Sequence, residues 1–367
     1  MPCRNARVCV PLTLFAACVL LVSAASADTL YFAHVYYPAP GDGAIESVDV
    51  SGGDVKTVMI TGSGLLGVAV EPVGGKLYWT DWLYPAAIRR SNLDGTGVED
   101  IITSGLAYPR SIAADAGLGK IYIGDQGMDE GMPAALLRAN LDGSGQETLI
   151  NTGFHAGLAL DTVNGKIYWS TSDTTVKGKI LRSNLDGTGV EVVVTSLDSQ
   201  FKPAGVAVDP VGGRVYWTDY VVDVVRRANL DGSDMQDLYW APFLNPRPIC
   251  LDLPHGKVYW GQDVGGEGND GKIMRMDLDG ALPEDFVTGL GLVTEVAVLP
   301  GGGAPCHPAD ANCDNAVDLS DIEPFVDLLI GTGQPCSSCA ADVNADGSMN
   351  GLDIAPFVDC LLLGGCN

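Results

Sequence analysis

The C-terminal tail holds two twelve-residue stretches rich in aspartate and asparagine, DANCDNAVDLSD (residues 310–321) and DVNADGSMNGLD (residues 342–353). Each places oxygen-bearing side chains at its positions 1, 3, 5, 9 and 12, the spacing with which a twelve-residue loop wraps Ca²⁺. The predicted ligands, including the position-7 carbonyls of Ala316 and Ser348, are Asp310, Asn312, Asp314, Ala316, Asp318 and Asp321 in the first loop, and Asp342, Asn344, Asp346, Ser348, Asn350 and Asp353 in the second.

Two such loops in tandem favour two calcium sites over the alternative, which is a pair of Asp/Asn-rich turns without metal. A similar segment follows each loop, IEPFVDLL from Ile322 and IAPFVDCLL from Ile354, and predicts a helix after each. Proline stands at equivalent places, Pro324 and Pro356, so we expect these helices to start late or to bend there.

Cysteines cluster in the same tail, and Cys250 stands alone upstream. In an exported chain this clustering predicts disulfides that supplement calcium in a small domain. Six cysteines permit fifteen pairings, among which the sequence does not choose. A cysteine-only zinc site is the alternative. Cys250 is predicted to be a buried free thiol. The tail cysteines are Cys306, Cys313, Cys336, Cys339, Cys360 and Cys366.

The N-terminus predicts export. Arg4 and Arg7 precede an apolar run, and an A-x-A site at residues 25–27 predicts a signal peptide over residues 1–27 with Asp28 as the mature start. No second stretch is apolar enough to predict a transmembrane segment. From Asp28 onward, 19 basic side chains face 46 acidic ones, a net charge of −27. That balance argues against nucleic acid and anionic membranes as partners and suits a protein that binds cations.

An aromatic strand pattern repeats six times in the long segment before the tail. The tyrosines of TLYFAH, KLYWTD, KIYIGD, KIYWST, RVYWTD and KVYWGQ are separated by 47, 44, 46, 48 and 43 residues. This period predicts propeller blades of four strands each. The tyrosines are Tyr31, Tyr78, Tyr122, Tyr168, Tyr216 and Tyr259.

Each period divides into a small-residue inner strand, the aromatic strand, a third strand that ends in an Asp-Gly turn, and an outer strand. The first period lacks an inner strand, and a matching segment, EVAVL, appears at Glu295–Leu299. We therefore expect one blade to be assembled from both ends of an all-β six-bladed propeller. Alternation predicts that Leu77 and Trp79 face one neighbouring blade and Tyr78 the other, as core residues.

Arginine and carboxylate residues recur together in five of the six periods. Because charges near a core are costly unless they are paired, we expect each arginine to pair with one of the carboxylates that end the inner strands, within or beside its own blade. The alternative is two independent solvent-facing positions. The arginines are Arg90, Arg138, Arg182, Arg227 and Arg275, and the carboxylates are Glu71, Asp115, Asp161, Asp209 and Asp252.

Residues 28–299 resemble the YWTD propeller of low-density lipoprotein receptors, also called class B repeats. The shared residues are YWTD at Tyr78–Asp81 and Tyr216–Asp219, with IRRSNLDGTG at Ile88–Gly97 and ILRSNLDGTG at Ile180–Gly189. This resemblance implies a binding and pH-responsive module rather than a catalyst. The growth-factor-like cysteine modules that flank receptor propellers are absent from this sequence.

The tail, residues 306–367 after a linker at residues 300–305, resembles a type I dockerin over residues 306–363. That resemblance implies a small α-helical calcium-loop domain and a cohesin-like partner. Positions 10 and 11 of the loops hold Leu319-Ser320 and Gly351-Leu352 instead of the family's frequent Ser/Thr pairs.

Loops that enter the inner strands and loops that follow the aromatic strands share one rim. Aromatic residues with arginine favour a binding face there, and ordinary loop packing is the alternative for each residue. The sequence therefore predicts a secreted, non-catalytic binding or scaffold protein that recognises an extracellular protein or glycan. The alternative is a lyase or hydrolase acting on extracellular polysaccharide. The candidate residues are Trp82, Tyr84, Tyr108, Arg110, Phe154, His155, Phe201, Lys202, Asn245 and Arg247.

Overall fold

The structure is a computed structural model that describes residues 28–35, 43–61, 64–128, 133–151, 155–171, 178–195, 200–240, 242, 245–263, 270–299, 322–329, 343, 351 and 354–363. In chain order the elements are β1 (Thr29–Val35), β2 (Gly43–Asp49), β3 (Lys56–Ile60), β4 (Leu65–Glu71), β5 (Lys76–Asp81), β6 (Ala87–Asn92), β7 (Glu99–Ile102), β8 (Pro109–Asp115), β9 (Lys120–Asp125), β10 (Ala135–Asn140), β11 (Glu147–Asn151), β12 (His155–Asp161), β13 (Lys166–Thr171), β14 (Lys179–Asn184), β15 (Glu191–Thr195), β16 (Pro203–Asp209), β17 (Arg214–Asp219), β18 (Val224–Asn229), β19 (Gln236–Trp240), β20 (Ile249–Asp252), β21 (Lys257–Gln262), β22 (Gly271–Asp277), β23 (Glu284–Leu290), β24 (Leu292–Leu299), α1 (Ile322–Leu329) and α2 (Ile354–Leu363).

The strands form six antiparallel sheets of four strands, and these sheets are the predicted blades. Blade 1 joins β24 to β1, β2 and β3, and each later blade takes the next four strands in order from β4. The inner strand of each blade contacts the inner strands of its neighbours around a central axis. A ring of this kind leaves no exposed inner sheet edge.

Blade 1 closes the ring, as the sequence predicted. Strand β24 pairs antiparallel with β1, with Leu299 opposite Thr29 and Glu295 opposite Ala33. The C-terminal end of the propeller therefore supplies the inner strand that the beginning of the chain lacks.

The aromatic strands fill the wedges between blades. Leu77 and Trp79 pack into the cluster shared with blade 1, whereas Tyr78 packs into the cluster shared with blade 3. Tryptophan at the position of Trp79 is almost fully buried in blades 2, 4, 5 and 6. Each such side chain removes about 150–250 Å² from water. The aromatic residues are core, which confirms the predicted role.

The arginine of the third strand bridges blades, but not in the way that the sequence suggested. Arg182 donates from Nε to Glu191 Oε1 at 2.5 Å on the outer strand, and from Nη1 to the Leu230 carbonyl of the next blade at 2.7 Å. The same bridge across the seam recurs from Arg90 to Leu141, Arg138 to Leu185, Arg227 to Leu278 and Arg275 to Val50, with distances of 2.8–3.1 Å.

The predicted pairing of these arginines with inner-strand carboxylates is therefore wrong. Those carboxylates instead accept N–H groups of the tight turn that follows each inner strand. Asp209 Oδ1, for example, accepts from Gly212 N at 2.7 Å, and Asp161 Oδ1 accepts from Asn164 N at 2.8 Å. Both carboxylates are buried and need these donors because water reaches them poorly.

The broken turn of blade 1 is held to blade 6 by side chains. Asp28 stands where other blades have the glycine of the tight turn. The carbonyl of Asp28 accepts a hydrogen bond from Val50 N, and in blade 2 the carbonyl of Gly75 accepts the equivalent bond from Leu93 N. The His255 Nδ1 lies 2.9 Å from an Asp28 oxygen and 2.9 Å from an Asp252 oxygen. His255 thus connects the first residue of the propeller to the blade that precedes it in the ring.

Two short helices are described in the tail. They begin at Ile322 and Ile354, so Pro324 and Pro356 lie in their first turns, where a missing N–H breaks no helical bond; the expected late start is wrong. Phe325 and Phe357 occupy equivalent positions and stack with centroids 3.7 Å apart. Within the described ranges, neither helix is long and apolar enough to cross a membrane.

The arginine bridge predicts an unequal response to two matched substitutions. Arg182→Gln removes the bonds to Leu230 and Glu191, and we expect the free energy of unfolding in urea to fall by about 1–3 kcal/mol. Arg214→Gln removes the same charge but only a surface ion pair with Asp234 inside its own blade, so we expect a much smaller change. Equal losses in the two variants would show that the bridge to the next blade adds nothing.

The seam at His255 predicts a pH-dependent contribution to stability. The hydrogen bond to Asp252, and the charges of Asp252 and Asp28, raise the pKa of His255. Its stabilising effect is therefore fully present below the ordinary value of about 6.5 and disappears as pH rises through the raised value.

His255→Asn is the suitable comparison, because Asn164 fills the equivalent place in blade 4 and donates Nδ2 to Asp161 at 2.9 Å. We expect wild type to exceed this variant in unfolding free energy by a larger margin at pH 5.5 than at pH 9. A margin independent of pH would contradict a charged His255 at the seam.

Candidate functional site

The inner strands begin, and the aromatic strands end, on one face of the disc, which we call the upper face. The aspartates that end several aromatic strands shape its loops. Asp125 accepts from Ala107 N at 2.7 Å and from Tyr108 N at 2.8 Å. Asp219 accepts from Lys202 N at 3.1 Å, and burial raises the pKa of this carboxyl. The last residue of the YWTD motif is therefore a loop anchor.

The hydroxyl residue of the motif joins neighbouring inner strands near the same face. Thr218 Oγ1 accepts from Gly205 N at 3.0 Å and donates to the Arg247 carbonyl of the next blade. Ser170 makes the corresponding contacts with Gly157 N and the Ala204 carbonyl. A Cβ at Gly205 would lie 2.4 Å from the Arg247 carbonyl, so only glycine allows this approach. The backbone at the start of the inner strands is fixed in consequence.

A channel of about 340 Å³ runs along the axis between the inner strands. Its wall is made mainly of alanine and branched aliphatic side chains from all six blades. The polar and ionisable side chains among its described lining residues are Arg110, Arg247, Cys250, Thr294 and Glu295.

Arg110 and Arg247 both line the mouth of this channel, from opposite sides. They occupy equivalent positions in blades 3 and 6, two residues before Ile112 and Ile249, which pair with the aromatic strands at Ile123 and Trp260. In a ring of six, these blades face each other across the axis. Burial and the charge of Arg247 lower the pKa of Arg110. Arg247 lies over the Tyr220 ring at 5.2 Å.

Glu295 is the carboxylic acid of the channel. Protein atoms surround its side chain on most sides, although the channel leaves part of it accessible. Burial raises the pKa of Glu295 to about 8, while the Val296 N–H and the charge of Arg110 act in the opposite direction. At neutral pH this group is therefore largely protonated. By strand register it stands where other blades have Gly67, Gly157 and Gly205.

Cys250 is a free thiol, as predicted, and lines the channel. Burial and the nearby Glu295 and Asp252 raise its pKa well above the ordinary value, so the thiol stays protonated at neutral pH. It is a small apolar wall residue rather than a nucleophile.

The predicted rim residues fall into different environments. Trp82 and Tyr108 pack against each other with ring centroids 5.1 Å apart. Tyr84 is 96% exposed. Asn245 donates its backbone N–H to Asp223 Oδ1 at 3.1 Å and its amide to the Asp263 carbonyl. Arg110 and Arg247 line the axial channel.

Of the other four candidates, two are buried and two have side chains outside the described residues. Phe201 is 2% exposed and meets Trp217 edge to face, and Lys202 is also buried; both are loop-packing residues, so their assignment to an accessible face is corrected. Phe154 and the side chain of His155 lie outside the described residues.

The predicted calcium ligands all lie outside the described residues, both in residues 310–321 and in residues 342–353. Cys360 on α2 is disulfide-bonded. The structure therefore describes the two helices that follow the loops but none of the predicted ligands.

Sequence reasoning did not single out Glu295 or Tyr220 as site residues. The signal for Glu295 was available, since it interrupts a column of small residues in the repeat.

The buried pair His34 Nε2 and Glu46 Oε2, 3.1 Å apart in blade 1, replaces the Asp81–Arg89 pair of blade 2 with the acidic and basic groups exchanged. Burial lowers the pKa of His34. This pair serves packing within blade 1.

Residues 75–116 match the profile of the low-density lipoprotein receptor repeat class B. A human protein, the low-density lipoprotein receptor-related protein 5-like protein, is 35% identical over 63 residues. That match covers 17% of this chain and 25% of the relative, so the chain spans about a quarter of the relative's length.

Solved structures share the propeller fold. A chain from the crystal structure of a nidogen/laminin complex aligns with a TM-score of 0.63 and 21% identity, covering 74% of this chain and 98% of that one. TolB from Acinetobacter baumannii aligns at 0.61 and 15%, covering 74% and 66%, and TolB from Agrobacterium tumefaciens at 0.57 and 14%, covering 74% and 99%. The chain is a six-bladed β-propeller. The match to the low-density lipoprotein receptor repeat class B runs from the tight turn of its second blade through the inner strand of its third.

Proposed function

We propose that this chain is a secreted, non-catalytic binding and scaffold protein whose upper face recognises an extracellular protein or glycan. The observation that carries the proposal is the convergence of Arg110 and Arg247 on the mouth of the axial channel. Aromatic side chains, among them the highly exposed Tyr84, lie on the same face. Arginine and tyrosine are the residue types that dominate binding energy at protein interfaces.

Rigid support favours binding on this face. Buried aspartates hold its loops by hydrogen bonds, and Ser and Thr hydroxyls join its neighbouring inner strands. Binding of a partner therefore costs little conformational entropy. One solved structure of similar fold supports this role, since it is a chain from a nidogen/laminin complex.

The described channel lining offers one carboxyl group, Glu295. Glycoside hydrolysis uses two flanking carboxyl groups. Binding is therefore the function that this arrangement supports better than the alternative, a lyase or hydrolase acting on extracellular polysaccharide.

Export and attachment complete the proposal. The predicted signal peptide, residues 1–27, would direct the chain out of the cell, which is the setting of receptor-type class B repeats. The tail would bind two Ca²⁺ and attach the propeller to a surface or assembly, with a cohesin-like protein as its partner. The stacked Phe325 and Phe357, at equivalent places in the two helices, support a duplicated module of this kind.

The proposed face predicts loss of binding on removal of Tyr84. In retention assays with cell-envelope proteins and polysaccharides on the immobilised full chain, Tyr84→Ala should weaken retention about tenfold, equivalent to about 1.4 kcal/mol. Val211→Ala is the control, since Val211 is also highly exposed but lies in the tight turn that follows an inner strand, on the opposite face of the disc. Retention that falls equally in both variants, or in neither, would argue against the upper face.

The calcium assignment predicts two saturable sites per chain. Calorimetric titration of the chelated full chain with CaCl₂ should give two sites with Kd between roughly 10⁻⁷ and 10⁻³ M. Asp310→Asn and Asp342→Asn should each weaken one site at least tenfold, because each variant replaces the charged first ligand of one loop by a neutral amide. Asp359→Asn, at an exposed helix position, is the control. A titration without saturable heat would refute the assignment.

A further inference from the structure

We propose that the mouth of the axial channel binds a carboxylate group with a short apolar stem, with the carboxylate between Arg110 and Arg247 and the stem against the channel wall. The source of the group is either a small free acid or an acidic side chain of a partner. The inference shares its face with the proposed function, but small acids test it without any macromolecular partner.

The surroundings of Arg247 favour the binding of an anion by its side chain. Its carbonyl accepts from Gly205 N at 2.8 Å and from the Thr218 hydroxyl, so its backbone is fixed. Its guanidinium lies over the ring of Tyr220. Its Nε is buried and has no hydrogen-bond partner within the described part of the chain. A buried guanidinium N–H without an acceptor is costly, and a carboxylate is its best planar acceptor.

Arg110 brings a second positive charge to the same place from the opposite blade. Its Nη1 donates to Gln126 Oε1 at 3.2 Å, which orients the side chain. The two guanidinium groups are near enough for the charge of Arg247 to lower the pKa of Arg110. An anion between them would turn this repulsion into two attractions, with little competition from water in the half-enclosed mouth.

Glu295 adds a hydrogen-bond donor to the site and does not neutralise the positive charge of the two arginines. With its pKa raised to about 8 by burial, it is largely uncharged at pH 7 and presents a hydroxyl donor toward the channel. The charged and titratable groups that reach it are Arg110 and, on the neighbouring inner strand, the Cys250 thiol, which stays protonated. A carboxylate entering the mouth would therefore meet two cations and a neutral acid. The hydroxyl of Thr294, buried and without a partner among the described residues, offers a further donor.

The wall determines what else the ligand carries. Apart from its few polar groups, the channel is lined by alanine and aliphatic side chains contributed by every blade, of which Ala113, Ala207 and Ala297 are examples. A volume of about 340 Å³ suits a small ligand rather than a sugar chain. An unbranched alkyl stem fits such a wall, and a second charge deep in the channel does not.

The test is calorimetric titration of the full chain at pH 6.5 with hexanoate, hexanamide and inorganic phosphate. We expect saturable binding of hexanoate and at least tenfold weaker binding of the uncharged amide. Arg247→Gln and Arg110→Gln should each weaken hexanoate binding tenfold or more. Arg214→Gln, which removes an arginine at the opposite face of the disc, where an aromatic strand begins, should leave it unchanged. Unfolding midpoints that match wild type would confirm that both mouth variants fold.

Two further arms sharpen the result. Acetyl-Gly-Glu-Gly-amide, compared with its glutamine counterpart, distinguishes the sources: tighter binding of the glutamate peptide than of hexanoate points to a partner's side chain, and the reverse points to a free acid. Wild type should lose affinity severalfold between pH 6.5 and pH 9, as Glu295 ionises and competes for Arg110, whereas Glu295→Gln should not.

Three outcomes would overturn the inference. The first is the same affinity for hexanoate in wild type and in both arginine variants. The second is equal binding of hexanoate and hexanamide. The third is binding of phosphate with no binding of either carboxylate probe. Failed retention of macromolecules on the upper face, together with arginine-dependent hexanoate binding, would instead count against the proposed function alone.

Discussion

A hydrogen bond from one arginine to the backbone of the next blade is the interaction on which the ring depends. Blades share no sheet ladder, so packed side chains and a few directed bonds must set the angle between them. Each acceptor carbonyl is itself fixed, since the N–H of the same residue bonds within its own blade: to a turn glycine in four blades, as in Leu230 with Gly213, and to Asp28 in the case of Val50. The arginine therefore joins two rigid frames. Its outer-strand partner, Glu191 for Arg182, balances a charge that would otherwise be costly beside the core.

The ring departs from this rule where the chain closes on itself. Blade 1 has Ser47 in place of the arginine, and the Tyr31 hydroxyl donates to the Leu93 carbonyl at 3.4 Å instead. The tight turn is missing there as well, and Asp28 with His255 holds the gap. A blade built from two distant pieces of chain gives up local turns, so side-chain contacts between blades have to replace them. Those contacts use groups that titrate, unlike the arginines of the other seams.

The sequence predicted the fold more completely than it predicted the contacts. Strand count, blade closure and the two faces of the aromatic strand follow from period and alternation alone. The hydrogen-bond partners of the arginines cannot be predicted in this way, because every position of a repeat recurs with the same period. Glu71 and Glu99 both recur together with Arg90, so recurrence alone does not show which of them is its partner. Register decides, since Arg90 lies opposite Glu99 on the neighbouring strand. In the site, Arg110 and Arg247 were recognised as rim residues, but their placement on opposite sides of the axis required a ring of six. Phe201 and Lys202 lie beside the rim in sequence, yet loop anchoring by Asp219 draws them inward.

Departures from the repeat are the better guide to function in such a fold. The column of Gly67, Gly157 and Gly205 is small because the next inner strand passes within contact of it, and any side chain there needs open space to occupy. Glu295 stands opposite Ala33, whereas Gly67, Gly157 and Gly205 donate their N–H groups to the hydroxyls of Thr80, Ser170 and Thr218. The strand that closes the ring therefore brings an acid into a column that is glycine in blades 2, 4 and 5. The architecture that seals the propeller also gives its channel a chemistry that the regular blades exclude.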